Sequence, residues 1–166
     1  MKNLMLSGFV AIAFAGSSIS LGQQKADSLK QQLVGNWLVV AQSVEKDGKK
    51  IERFGSTPKG IFMFDGNGRF AAMLMRSDLP KFASNNAMAG TDEENKAVVQ
   101  GSIAFYGTWS IPEAPDTVIT RIEGSSYPNW DGLEQKRSMV IAGDELRLCV
   151  TAAIGGTSCM VAKRVK

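Results

Sequence analysis

The chain has 166 residues, a length typical of one folded domain, and its 44% hydrophobic and 21% charged residues are ordinary for a globular protein. The formal charge of +3 comes from 19 basic and 16 acidic residues spread along the sequence, which does not predict nucleic-acid binding. Histidine is absent, and this excludes Ser-His-Asp and Cys-His nucleophilic sites and His-ligated metal centres. The composition therefore favours a binding protein, and we predict no cofactor, no metal site and no catalytic residue.

The first 22 residues have the pattern of an export signal. A basic residue near the start precedes an apolar run over residues 4–15, and small residues follow it. We predict cleavage between Gly22 and Gln23, which leaves 23–166 as the domain and places it in the periplasm or the medium. A retained membrane anchor is the alternative, but the apolar run is shorter than the roughly 20 residues that a membrane-spanning helix needs. We therefore predict no stable membrane anchor.

Short strands that end at turn residues dominate the rest of the chain. They are predicted over residues 37–44, 51–54, 60–64, 69–75, 103–111, 117–123, 133–141, 145–151 and 157–165. Thr91 and Glu94 form a capping box that predicts a short helix over 92–100. About eight strands with hairpin-sized connections and one short helix are typical of an all-β fold, an up-and-down antiparallel β-barrel. A two-sheet sandwich is the alternative.

Alternation along the predicted strands assigns side chains to the inside or the outside of the barrel. Ile103, Phe105 and Trp109 share one face of their strand, which we expect to point inward. Leu146 and Leu148 should also point inward. Cys149, which follows Leu148, then lies on the outer surface.

Cys149 and Cys159 flank a turn over residues 152–156. If Thr151 pairs with Thr157 across this turn, the two cysteines lie directly opposite each other, and cross-strand Cβ atoms at such a pair are close enough for a disulfide. An exported protein ordinarily oxidises such a pair. The alternative is a redox or metal-binding dithiol, which the spacing does not favour because no C-x-x-C motif is present. We predict a structural disulfide.

The segment Gly35-Asn36-Trp37 carries the G-x-W motif that opens the first strand of lipocalins. Together with it, an ordered set of blocks resembles the bacterial and fungal lipocalin-like domain family. The blocks are 65–66, 73–76, 104–107, 122–125, 128–130 and 143–146. The resemblance implies a calycin-type barrel and a small, largely apolar ligand, with no shared reaction. It also implies that Trp37 closes one barrel end under an arginine from a late strand, for which Arg164 is the candidate. We expect a structural role for Gly35, Trp37 and Arg164.

Three functions remain open at this point. The one we favour is an exported protein that binds a small hydrophobic or amphipathic molecule in the barrel. The second is a barrel enzyme of the cyclase or isomerase type, in which Tyr106, Glu123 or Glu134 acts as acid or base. The third is a structural or interaction protein of the envelope without a ligand. The sequence does not identify the ligand or the oligomeric state.

The predicted ligand site lies at one mouth of the barrel. A proline-bearing loop over 125–132 carries a tryptophan whose aromatic surface needs a cover, and charged residues stand at the ends of nearby strands. An arginine there would bind an anionic head while the apolar interior takes the tail. We predict ligand contacts from Arg76, Tyr106, Trp130, Glu134 and Arg137. The alternatives are that Trp130 only caps the barrel and that Arg76 pairs with Glu134.

Overall fold

The computed structural model describes residues 21–112, 116–152 and 154–166. The elements in chain order are α1 (Leu21–Leu33), β1 (Gly35–Lys46), β2 (Lys49–Ile51), β3 (Lys59–Phe64), β4 (Arg69–Met75), α2 (Asp92–Gly101), β5 (Ser102–Ser110), β6 (Thr117–Ser125), a 3-10 helix (Pro128–Trp130), β7 (Glu134–Ala142), β8 (Glu145–Thr151) and β9 (Thr157–Arg164). The predicted export signal falls mostly on residues 1–20, which lie outside the described residues.

Eight of these strands close into an antiparallel barrel. Consecutive strands from β3 to β9 are neighbours, and β1 pairs with both β3 and β9, which closes the ring. The short strand β2 forms a hairpin with the far end of β1 and stands outside the ring. The predicted barrel is therefore confirmed, and the two-sheet sandwich is wrong. The strand predicted over 51–54 is also wrong, because β2 ends at Ile51 and Phe54 turns inward as a buried core residue.

Apolar side chains fill the barrel, because alternate residues of each strand point inward. Ile103, Phe105 and Trp109 are buried, as are Leu146 and Leu148, so the predicted faces of β5 and β8 are confirmed. Aromatic rings form the centre of this core through edge-to-face and stacked contacts. The contacting rings are Phe62, Phe64, Phe70, Phe105 and Trp109.

A β-bulge changes the inward face of β1 partway along the strand. Trp37 and Val39 are buried before the bulge, and the register with β9 shifts between Val39 and Ala41. After the shift, Gln42 and Val44 are the buried residues. One extra residue moves every later side chain to the opposite face. The bulge therefore brings the polar Gln42 to the interior.

Helix α1 corrects the prediction of a single short helix. Ala26, Leu29 and Leu33 recur at spacings of three and four residues, which places them on one helix face. Ala26 and Leu33 are buried, and Leu29 packs against the core. The helix contains the predicted cleavage position between Gly22 and Gln23, and cleavage there stays a prediction. Within the described residues, no helix is long and apolar enough to cross a membrane.

Helix α2 begins at the predicted capping box. The Thr91 hydroxyl accepts a hydrogen bond from the Glu94 N–H at 3.2 Å, and the Glu94 carboxylate accepts one from the Thr91 N–H at 2.8 Å. The same carboxylate accepts a second hydrogen bond, from the Ala83 N–H at 2.8 Å. Glu94 thus joins the segment after β4 to the helix start.

The disulfide and the register of the last hairpin are confirmed. Cys149 and Cys159 are bonded, with Cα atoms 4.1 Å apart, and Thr151 pairs with Thr157. The residues on either side of Cys149 belong to the inward face of β8. The disulfide therefore joins β8 to β9 on the outer surface of the barrel.

Candidate functional site

The two ends of the barrel are built differently. Helix α1 leads directly into β1 and covers the end where β1 starts and β9 finishes, which we call the helix end. The connections after β2, β4, β6 and β8 all lie at the opposite end, which we call the loop end, because successive strands are antiparallel. The loop end includes the 3-10 helix and the segment before α2.

At the helix end, the Trp37 ring is buried beneath the Arg164 side chain. The Trp37 ring is fully buried, and its Nε1 donates a hydrogen bond to the Leu33 carbonyl at 2.8 Å. The Arg164 guanidinium lies 4.1 Å from the centre of the Trp37 ring. Its Nη1 donates to the Val34 carbonyl at 3.0 Å and its Nη2 to the Gln32 carbonyl. These bonds hold the end of α1 against the barrel.

Gly35 makes room for that guanidinium. Its φ is +136°, a conformation that residues with side chains rarely adopt. A Cβ atom at this position would lie 2.9 Å from Arg164 Nη1. Gly35, Trp37 and Arg164 thus form one packed unit at the helix end, which we name the helix-end lock.

Arg137 lies inside the barrel rather than at its mouth. It is 6% exposed and projects inward from β7 beside Met139. Its Nε donates to the Thr120 hydroxyl at 3.4 Å and its Nη2 donates to the Gln135 side-chain carbonyl. Burial lowers the pKa of the Arg137 guanidinium to about 10, so the group still carries its charge at neutral pH. No ion pair with Arg137 is present among the described residues.

Phe105 links Arg137 to the loop end. The guanidinium carbon of Arg137 is 5.6 Å from the centre of the Phe105 ring. Trp130, on the 3-10 helix, meets the same ring edge to face at 5.4 Å, and Tyr127 meets Trp130 at 5.8 Å. Trp130 is only partly buried. A continuous column of Trp130, Phe105 and Arg137 therefore runs from the loop end into the interior, and we call it the inner column.

Gln42 is a second polar residue of the interior. It is 7% exposed, and its Nε2 donates to the Ser158 hydroxyl at 2.9 Å, while its Oε1 is buried without a hydrogen-bond partner. Gln42 and Arg137 are thus both buried polar residues of the barrel interior.

Three of the predicted site residues lie outside the inner column. Arg76 pairs through two nitrogens with Asp78, at 2.8 and 2.7 Å, rather than with Glu134. Tyr106 is 51% exposed and lies on the outer face of β5. Glu134 is exposed at the start of β7, opposite Arg121. Of the predicted site residues, Trp130 and Arg137 both contact Phe105.

The residues of the enzyme hypothesis lie outside the barrel. Tyr106 and Glu123 line an open depression of about 570 Å³ on the outer surface of β4, β5 and β6. The Glu123 carboxylate accepts two hydrogen bonds from Arg69, at 2.7 and 2.8 Å, which lower the pKa of that carboxyl. A carboxyl held in its ionised form is a poor proton donor near neutral pH. Within the described ranges, no group of three potential metal ligands is present.

The sequence analysis did not identify Gln42 or Phe105 as site residues. It also placed Arg137 at the mouth of the barrel rather than in the interior. Alternation offered signals for Arg137 and Gln42. Met139 and Ile141 are apolar at the same parity as Arg137, which indicates an inward arginine. The buried residues change parity between Val39 and Val44, which indicates a bulge and an inward Gln42.

Comparison with known proteins gives one family and several similar chains. The model of the lipocalin-like domain family matches residues 34–164. The 4'-hydroxy-3'-methoxypropiophenone carrier protein ppsC of Aspergillus oryzae is 36% identical over 84 residues, which is 47% of this chain and 76% of that protein.

Solved structures of β-barrels are also similar. A redesigned β-barrel has a TM-score of 0.45 at 16% identity, over 86% of this chain and 96% of that chain. A fatty acid transporter (REP1-NXSQ) has a TM-score of 0.40 at 12% identity, over 82% of this chain and 98% of that chain. At these values the likeness says nothing about the ligand.

Proposed function

Since this chain belongs to the lipocalin-like domain family, we propose that it is an exported protein that binds a small hydrophobic or amphipathic molecule at the loop end of its barrel. The observation that carries the proposal is the inner column, in which partly buried Trp130 and buried Phe105 lead to a charged group inside an apolar barrel. Apolar walls with few, well-placed polar groups are typical of small-molecule sites.

Two further observations support this function. The related protein of Aspergillus oryzae is named a carrier of 4'-hydroxy-3'-methoxypropiophenone. The disulfide between Cys149 and Cys159 is a bond that persists in oxidising compartments, which supports export together with the signal-like start of the sequence.

In the proposed site, the ligand enters at the loop end and packs its apolar part against Phe105 and Trp130. Trp130 belongs to a three-residue helix in a connection between strands, and such surface connections move more readily than the barrel wall. The predicted contribution of Arg137 is to hold a polar end of the ligand. The structure gives no corresponding support to Arg76, Tyr106 or Glu134 as ligand contacts.

The experiment is a titration of fatty acids, retinoids and aromatic acids followed by tryptophan fluorescence. The chain has three tryptophans. Trp109 belongs to the aromatic core and provides the matched control. We expect a bound ligand to change the fluorescence of the parent and of Trp109→Phe, and to change that of Trp130→Phe much less. An equal change in all three proteins would place the ligand away from Trp130, and the absence of binding by the whole panel would contradict the proposed function.

A further inference from the structure

The interior of the barrel holds a cation whose partners are all neutral. The Arg137 guanidinium is bonded to a hydroxyl of Thr120 and an amide oxygen of Gln135, and it stacks over the Phe105 ring. Thr120 is fully buried. A buried charge is costly unless an opposite charge and further hydrogen bonds compensate it. The described part of the chain supplies the hydrogen bonds and the ring but no carboxylate.

The same guanidinium retains unused donors. Its five N–H groups form a rigid fork that fits an anionic oxygen pair, and the bonds to Thr120 and Gln135 use only Nε and Nη2. Nη1 makes no hydrogen bond with a described residue. The Oε1 of Gln42, a second buried polar residue, has no hydrogen-bond partner and is free to accept a hydrogen bond.

We propose that the ligand is a small organic anion whose ionised oxygen group, a carboxylate or a phenolate, binds Arg137 inside the barrel. This inference rests on the proposed function and assigns its ligand class. The anionic group supplies the charge that Arg137 lacks. The apolar part of the ligand lies along Phe105 toward Trp130, because this ring separates the guanidinium from the loop end.

Arg137→Met is the informative variant, because the long apolar side chain removes the charge and keeps much of the volume. The partners of Arg137 tolerate the change. The Thr120 hydroxyl also donates to the Gln135 backbone carbonyl at 3.3 Å, and Gln135 is only partly buried. Arg147→Met is the matched control, since it removes one positive charge from an exposed position on the outer face of β8.

The probes are two pairs that differ mainly in charge: cinnamate with cinnamyl alcohol, and para-nitrophenolate with para-nitroanisole. Affinities are measured by calorimetry at a pH where both acids are ionised. We expect the parent and Arg147→Met to bind at least one anion about tenfold or more tightly than its neutral partner, as charge-assisted hydrogen bonds do. Arg137→Met should lose this preference. The probe pair in which the anion binds more tightly than its neutral partner identifies the anionic group as a carboxylate or a phenolate.

Thermal unfolding without probe gives a second readout. Because the unfavourable burial of a charge is removed, Arg137→Met should unfold at the same temperature as the parent or at a higher one.

Equal affinities for anions and neutral partners in the parent would overturn the inference and leave the proposed function standing. An anion preference that persists in Arg137→Met would also overturn it. If Arg137→Met does not fold, the affinities of the parent for the anionic and neutral probes decide the test. Arg137→Gln then replaces Arg137→Met as the variant without the charge. No binding by any probe or by the broader panel contradicts the proposed function itself.

Discussion

Arg164→Ala tests whether the helix-end lock holds α1 on the barrel. The substitution removes the cation that lies 4.1 Å from the centre of the Trp37 ring and both hydrogen bonds to the carbonyls of Gln32 and Val34. We expect lower stability without a change in ligand preference, because the lock is at the end opposite to Trp130.

The size of the effect follows from these contacts. A cation over an indole ring contributes about 0.5 to 2 kcal/mol. Hydrogen bonds from a charged donor contribute about 1.5 to 3 kcal/mol each when well shielded. The Arg164 side chain is 27% exposed, so we take smaller values and expect a total loss of about 2 to 4 kcal/mol. At about 2 to 4 °C per kcal/mol for a domain of this size, the melting temperature should fall by roughly 4 to 16 °C.

The assay is urea unfolding together with thermal melting, with Arg164→Lys as the matched control. Lysine keeps the charge but lacks the planar fork that reaches two carbonyls, so it should restore less than half of the lost stability. Gly35→Ala should also destabilise, and its cost should add less than fully to that of Arg164→Ala because both changes disturb one contact. An unchanged free energy of unfolding in Arg164→Ala would refute the reasoning, as would full recovery by lysine.

Two other predictions concern the disulfide and the start of α2. Intact protein purified from its own host should have a mass about two daltons below that of the dithiol form, because forming the Cys149–Cys159 bond removes two hydrogens. Two free thiols would contradict the bond. Hydrogen bonds from two backbone N–H groups hold the pKa of the Glu94 carboxyl below its ordinary value, so its contribution to stability is present above the ordinary pKa and is lost as the pH falls through the folded pKa. Glu94→Gln should flatten the acid side of the stability profile measured by urea unfolding, while Glu93→Gln should not.

Local patterns were sufficient to predict most of the fold. Alternating apolar residues and turn residues predicted the strands, and the symmetric placement of Cys149 and Cys159 about a short turn predicted both their register and their bond. Helix α1 was missed because most residues of 21–33 are polar and only a narrow face of Ala26, Leu29 and Leu33 is apolar. Such a helix forms through its contact with the barrel rather than through its own sequence.

The site was harder to predict, because it depends on which way each side chain points. Arg137 was identified as a ligand contact but placed at the mouth, although its parity with Met139 indicates the interior. Tyr106 follows inward Phe105 and must therefore face outward. Arg76 finds its partner two residues away, in Asp78, and strand patterns carry no information about such pairs in a loop.

The bulge in β1 has a consequence for how this family is compared. A member with the same number of residues in this strand but without the bulge between Val39 and Gln42 would continue the regular alternation, so that the residue aligned with Gln42 would meet solvent and its neighbour would enter the barrel. Gain or loss of the bulge at constant strand length would therefore exchange the β1 side chains that face the interior without any change in the sequence of the strand. An alignment without a gap in this strand would hide such an exchange. Ligand preference in related chains should therefore be compared only after the bulges have been matched.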